Sequence, residues 1–161
     1  MSETLQVRQA RLADVDELAS LEAALQPEPW TRGILSDELT AGGRVYLVAV
    51  DGTDVVGYGG VMVVGDEAHV TNLLVVPTHR RRGLGRTIIT ELFDRANALG
   101  ARHVTLEVRA GNRPARRLYE SVGMKSAGTR PGYYRDDDAT IMWARDIQAH
   151  LPTDSVAEVS R

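Results

Sequence analysis

Apolar residues recur along this chain with two periods, near 3.6 and 2, and the switches between them predict its elements. Thr4 to Val7 reads as a short strand. From Asp14 to Leu25, Val15, Leu18, Leu21 and Leu25 fall at helical spacing. Gln26-Pro27-Glu28-Pro29-Trp30 breaks that helix, because each proline disfavours helix in the residue before it. Thr31 can cap a second helix running to about Leu39, which Gly42-Gly43 ends. Three strands follow, Val45–Val50, Val55–Val64 and Ala68–Val76, turning at Asp51-Gly52 and Gly65-Asp66 and closed by Pro77. The strongest helix runs from Gly83 to Leu99, with Leu84, Ile88, Leu92, Ala96 and Leu99 in one stripe and Gly100 as its stop. Val104–Val108 is a strand. Asn112 caps a short helix with Leu118, Tyr119 and Val122 on one face, ended by Gly123. Met124–Gly128 and Thr140–Ala144 read as the last two strands, and from Gln148 the chain is polar and aperiodic, a frayed tail. The order β-α-α-β-β-β-α-β-α-β-β predicts a mixed α/β domain with an antiparallel meander.

Composition narrows the chemistry. Its 161 residues suit one domain with a short tail, large enough to bury a core without a metal or disulfide staple. The chain has no cysteine, which excludes disulfides and thiolate nucleophiles. A net charge of −3 argues against nucleic-acid binding through overall basicity. No stretch reaches the ~18 apolar residues of a membrane helix, and MSETLQVRQA has no apolar signal core. A cytoplasmic protein with no membrane partner is the expectation. His69, His79, His103 and His150 show no paired ligand spacing, so no metal is expected.

The segment Asn72 to Arg86 carries the clearest chemistry. An apolar strand enters a turn holding Arg80, Arg81, Arg82, Gly83 and Gly85, then runs directly into the best helix, where Arg86 adds charge. A helix start offers unpaired N–H groups and the positive end of the dipole, and glycine lets the backbone approach a ligand. The pattern suits an anion, most simply a pyrophosphate; a basic turn that only caps the helix is the alternative. Neither a Walker lysine nor a third glycine is present, since Ile88 stands where that glycine would be. In the strand Val104–Arg109, Val104, Leu106 and Val108 share one face, and Thr105, Glu107 and Arg109 the other. Glu107 reads either as a general base or as half of an ion pair with Arg109 or another arginine. Asn112 reads as a cap, and Tyr119 as a core tyrosine with a satisfied hydroxyl.

Together and in this order, these segments resemble one family. The strand–Arg-x-x-Gly-x-Gly–helix segment at 72–99 is similar to the acetyl-CoA motif of the GNAT (Gcn5-related) N-acetyltransferases. Leu106-Glu-Val-Arg-x-x-Asn112 with Leu118-Tyr119-x-x-x-Gly123 resembles the signature of their RimI-type branch, the ribosomal-protein alanine N-acetyltransferases. Arg130-Pro-Gly-Tyr133-Tyr134 and Asp138-Ala-Thr-Ile-Met142 resemble that branch's C-terminal hairpin. Met124 departs from the usual phenylalanine after Gly123, a conservative core change. The likeness spans about residues 5–146. It implies a single acetyltransferase domain over 1–147, with 148–161 as tail, built on a mostly antiparallel twisted sheet flanked by helices.

The resemblance also implies direct transfer of acetyl from acetyl-CoA to an amine, with no covalent enzyme intermediate. Arg80, Arg81, Arg82, Gly83, Leu84, Gly85 and Arg86 would hold the pyrophosphate. Leu73, Leu74 and Val75 would pair with the pantetheine arm, which Asn112 would also bond. Glu107 matches the family's base and Tyr119 its acid. Trp30, Tyr133 and Tyr134 lie in loops that border the acceptor groove in this family, whereas a lid over the core is the plainer reading of Trp30. Asp66 and Glu67 could attract a cationic N-terminus or simply face water. The implied acceptor is the α-amine of a protein, a ribosomal protein in this branch, acted on by a monomer or weak dimer. A small-molecule amine or a lysine side chain is the alternative acceptor, and a non-catalytic acyl-CoA sensor the alternative of another class.

Overall fold

The computed structural model describes residues 5–147. The elements follow in the expected order: β1 (Leu5–Gln9), α1 (Val15–Leu25), α2 (Arg32–Thr40), β2 (Arg44–Asp51), β3 (Asp54–Val64), β4 (Glu67–Val75), α3 (Leu84–Ala98), β5 (His103–Arg109), α4 (Arg113–Ser121), β6 (Lys125–Arg130) and β7 (Ala139–Ala144). The strands hydrogen-bond in the order β1-β2-β3-β4-β5-β7-β6. The β1–β2, β2–β3, β5–β7 and β6–β7 pairs are antiparallel, and the β4–β5 pair is parallel. This is the mixed α/β arrangement expected from the pattern and the mostly antiparallel sheet implied by the resemblance, with four α-helices in its connections among the described residues. No helix among the described residues is long and apolar enough to cross a membrane.

The chain forms two compact units: residues 5–62 with 71–92, and residues 63–70 with 93–147. In the first, Val15, Leu18, Leu35, Tyr46, Val48, Val55, Tyr58 and Leu74 make one buried cluster, against which Leu21, Leu25 and Trp30 pack. Glycine makes room there: a Cβ on Gly60 would lie 2.0 Å from the Tyr46 ring, and one on Gly59 2.8 Å from Ile88. The aromatic ring and α3 therefore sit directly on the β3 backbone. In the second unit β5 alternates as expected, with Val104, Leu106 and Val108 buried and His103, Thr105, Glu107 and Arg109 partly exposed. Tyr119, Val122, Met124 and Met142 are buried in the same unit, so methionine occupies its expected core position.

Most boundaries shift by about a residue from expectation, and four of the differences have a clear physical cause. Leu99 is not on the α3 stripe; the helix ends at Ala98 and Leu99 is 53% exposed. Gly100 does stop the helix, at φ +102°, and Ala101 N–H returns to the Ala96 carbonyl, which turns Leu99 outward. Before α1, Leu12–Asp14 is a 3-10 turn, because the Asp14 carboxylate accepts the Arg11 N–H at 2.7 Å and both Arg8 nitrogens at 2.9 Å. That guanidinium holds the Asp14 carboxyl below its ordinary pKa. β1 continues to Gln9, since Arg8 and Gln9 pair with Val48 and Leu47, while Thr4 and the expected tail at 148–161 lie outside the described residues. β6 starts at Lys125 rather than Met124, whose N–H closes α4 on the Tyr119 carbonyl, and it runs to Arg130. Every β6 residue is exposed, so no alternation marks its end.

Candidate active site

The first unit holds the glycine–arginine turn. β4 delivers Leu73, Leu74 and Val75, of which Leu74 anchors the strand in the core. A 3-10 turn at Pro77–His79 follows, where His79 Nε2 lies 2.9 Å from Asp51 Oδ2. Arg80 Nε donates to the Val75 carbonyl at 2.9 Å, which folds this guanidinium back on the strand. Arg81, Arg82 and Arg86 are exposed. The backbone turns through left-handed conformations at Arg81 (φ +64°) and Gly83 (φ +78°), the former uncommon for a residue with a Cβ. A Cβ on Gly83 would meet no heavy atom within 4 Å, so the backbone there faces open space. The first backbone bond of the helix start runs from Thr87 N–H to Gly83 O, and the buried Leu84 fixes that turn to the core. The N–H groups ahead of it have no intrahelical acceptor. An open backbone, a dipole end and several guanidinium groups suit an anion of two phosphates, and in this respect the turn fits acetyl-CoA.

Trp30 lies in the same unit. Its ring meets Tyr46 edge-on at 6.4 Å, and its backbone N–H donates to Glu22 Oε1 at 2.9 Å. The residue is half-buried against the core, so packing and exposure are both present.

The second unit holds Glu107, Asn112, Tyr119, Tyr133 and Tyr134, and brings Glu107 together with both hairpin tyrosines. Glu107 Oε2 lies 2.8 Å from His69 Nε2, and Glu107 Oε1 accepts the Tyr133 hydroxyl at 3.3 Å. The Tyr134 hydroxyl donates to the Glu107 backbone carbonyl at 3.1 Å. The two tyrosine rings meet edge-on at 5.0 Å. Burial, then the Tyr133 and Glu107 charges, push the Tyr134 hydroxyl up to about 12. Burial, then Glu107, also raise Tyr133. Arg109 is not the partner of Glu107. It pairs with Asp136, and its guanidinium lies 4.4 Å over the Tyr134 ring. Asp137 and Asp138 stiffen the same loop by accepting the Gly111 and Gly132 N–H groups.

Asn112 caps α4 as expected, its Oδ1 accepting the Ala115 N–H at 3.2 Å, and it is exposed. Tyr119 is 8% exposed, and burial first, then Tyr134, raise its hydroxyl pKa. Among the described residues no hydrogen bond reaches that hydroxyl, which differs from the satisfied core tyrosine its position suggests. Asp66 and Glu67 are exposed, and the Asp66 backbone carbonyl takes the Arg102 and His103 N–H groups.

Two residues here were not singled out in the sequence. His69 meets Glu107 because the parallel β4–β5 register sets His69 opposite Thr105; that pairing spans 38 positions and leaves no local signal. Glu22 is 2% exposed, and its spacing from Val15, Leu18 and Leu25 was a usable signal that its charge concealed.

The acetyltransferase (GNAT) family model matches residues 13–124. A Bacillus subtilis (strain 168) protein, a putative ribosomal protein bS18-alanine N-acetyltransferase, is 37% identical over 140 residues, 85% of this chain and 93% of its own length. The crystal structure of the ribosomal-protein-S18-alanine N-acetyltransferase from Escherichia coli aligns with a TM-score of 0.80 at 28% identity, over 88% of this chain and 94% of that one. Arabidopsis thaliana NAA60 in complex with acetyl-CoA aligns with a TM-score of 0.83 at 21% identity, over 88% and 98%, a likeness of fold.

Proposed function

The chain belongs to the acetyltransferase (GNAT) family, and on that premise we propose that it transfers acetyl from acetyl-CoA to the N-terminal α-amine of a protein, a ribosomal protein of the bS18 kind. The observation that carries the catalytic assignment is the state of Glu107. Among the described residues its carboxylate is held by an imidazole and a phenol and by no arginine, so it is oriented and has lone pairs left for a proton. The relatives named for bS18 or S18 alanine acetylation support the acceptor.

Acetyl-CoA supplies the acetyl thioester. The N–H groups from Arg81 to Arg86, with the guanidinium groups of Arg81, Arg82 and Arg86 and the terminal nitrogens of Arg80, whose Nε is engaged by the Val75 carbonyl, hold the pyrophosphate, and Leu84 keeps that turn seated. Leu73, Leu74 and Val75 offer backbone groups to the pantetheine arm, and one of their amides polarises the thioester carbonyl, a contribution of commonly ~3 kcal/mol. The Asn112 cap uses only the side-chain oxygen, which leaves the amide nitrogen to the same arm. Glu107 takes a proton from the α-ammonium group, directly or through water. The amine nitrogen bonds to the acetyl carbon, the carbon–sulfur bond breaks, the Tyr119 hydroxyl gives its proton to the sulfur, and the second proton that leaves the nitrogen returns through water to the Tyr119 oxygen, giving the neutral amide. Trp30, Tyr133 and Tyr134 border the acceptor. An α-amine has a reference pKa of about 8 and lysine about 10.4, so at neutral pH the α-amine is easier to deprotonate by roughly 3 kcal/mol.

The test compares two peptides by mass spectrometry after incubation with acetyl-CoA: one beginning with free alanine, the other blocked at its N-terminus with an internal lysine. Acetylation of the first at pH 7, with far less of the second, is the expected result. Equal or faster reaction of the blocked peptide at both pH 7 and pH 9 overturns the N-terminal assignment.

A further inference from the structure

Two carboxylates of the first unit that the reaction above does not use are buried among the described residues: Asp14, which is paired with Arg8, and Glu22, which is 2% exposed. The telling one is Glu22. It continues the Val15, Leu18, Leu25 stripe of α1, where a hydrocarbon would be expected. Among the described residues no cation pairs with it. Neutral donors compensate its burial instead, as a desolvated charge requires. Oε1 accepts the Trp30 N–H at 2.9 Å. Oε2 accepts the Tyr58 hydroxyl, and the Asn72 amide nitrogen lies 3.5 Å away. That nitrogen also donates to the Tyr58 oxygen at 3.1 Å. The amide is thereby oriented, and Asn72 Oδ1 is left buried without a partner among the described residues. An arrangement selected for stability alone would hold an apolar residue at 22 and no orphaned acceptor.

The geometry serves placement. The backbone carbonyl of Glu22 takes the Gln26 N–H at 2.9 Å where α1 ends, and its side chain takes the Trp30 N–H at the other end of the same loop. Between them Pro27 and Pro29 have no N–H to give. Beyond Trp30, Thr31 caps α2 through Ile34 N–H. One residue thus staples both ends of the α1–α2 loop, and through Tyr58 and Asn72 ties it to β3 and to the β4 residue just before Leu73.

We propose that Glu22 is a positioning residue for the acceptor: it fixes Trp30 and its loop relative to β4, and so sets affinity for the incoming peptide rather than the rate of transfer or the affinity for acetyl-CoA. This rests on Trp30 bordering the acceptor. Glu22→Met fills the space and releases the Trp30 N–H, and should raise the peptide KM about tenfold, the worth of a hydrogen bond to a charged group. The same variant should keep kcat and the acetyl-CoA KM within about twofold, since a uniform binding term leaves kcat unchanged. Glu22→Gln keeps an oxygen for Trp30 and should restore most of the peptide affinity. If Glu22→Met does not fold, Glu22→Met with Tyr58→Phe removes the stranded hydroxyl and serves in its place. Trp30→Ala separates the failures. A raised peptide KM in Trp30→Ala with an unchanged one in the folded Glu22 variant overturns the proposal and spares the loop assignment. An unchanged KM in Trp30→Ala overturns both. A fall in kcat or in acetyl-CoA affinity without a change in peptide KM makes Glu22 a purely structural residue.

Discussion

Replacing Glu107 by glutamine tests the proton transfer without dismantling its surroundings. The carboxylate has two partners, His69 at 2.8 Å and Tyr133 at 3.3 Å. A glutamine oxygen can still accept the Tyr133 hydroxyl, and its NH2 can donate to His69 Nε2 once the imidazole carries its proton on Nδ1. Both bonds survive, so the thermal midpoint should move little, by an equivalent of about 1 kcal/mol or less. Turnover should not survive. General base catalysis contributes commonly ~100-fold to 10,000-fold, so kcat on an alanine-terminated peptide at pH 7 should fall by at least about 100-fold. The defect should also depend on pH. With an α-amine pKa of about 8, roughly one-tenth of the peptide is already neutral at pH 7 and roughly nine-tenths at pH 9. Solvent then does the work of the missing base, and the ratio of wild-type to variant rate should shrink by about tenfold over that interval. Released CoA can be followed with a thiol reagent, because the chain contains no cysteine to react with it. Wild-type turnover in the glutamine variant, or a loss of the same size at pH 7 and pH 9, would refute the assignment and leave Glu107 as a structural partner of His69.

Tyr119→Phe should slow transfer while moving the melting temperature little, because the hydroxyl it removes has no hydrogen-bond partner among the described residues; a slower enzyme that is also less stable would return Tyr119 to the core. Gly83→Asp should weaken acetyl-CoA binding by about tenfold or more in a folded protein, since it sets a negative charge at the helix start and strains a left-handed backbone position; calorimetric affinity equal to wild type would misplace the pyrophosphate. Asp14→Asn should lower stability at pH 7 by about 1 kcal/mol, discounted for the partial exposure of Arg8. The folded-state pKa of Asp14 is depressed, so its contribution is complete above about pH 4 and is lost as pH falls through the lowered value. Unfolding curves of the variant and wild type that fail to converge towards pH 2 would contradict the linkage.

Much of this was legible because local physics decided it. The alternation in His103–Arg109 placed Glu107 away from the buried face before any partner was known. The Arg80–Arg86 turn was legible because glycine, arginine and a helix start coincide within seven residues. What stayed hidden depended on register or on compensation. His69 is adjacent to Glu107 only through a parallel pairing that covers three residues of each strand, and no sequence rule links positions 69 and 107. Arg109 was the plausible partner on its own strand, yet two residues along a strand is a long reach, and Asp136 on the facing loop takes it instead. Glu22 lay in plain view on the α1 stripe, but a carboxylate there reads as a solvent-facing residue until its three donors are known, and those come from three separate segments.

The choice of cations fits the chemistry proposed for them. The chain has a single lysine, Lys125, among its 19 basic residues. All four cations in the turn at 80–86 are arginines. A guanidinium stays protonated at any working pH and forks across phosphate oxygens, whereas a lysine loses its proton when its surroundings turn apolar and becomes an amine nucleophile. Arginine at the pyrophosphate therefore supplies a charge that does not depend on its surroundings and a planar fork that matches the phosphate oxygens. The acceptor side needs the opposite, a group that changes its charge during the reaction: Glu107, oriented by His69 and Tyr133, keeps lone pairs for the proton of the α-ammonium group.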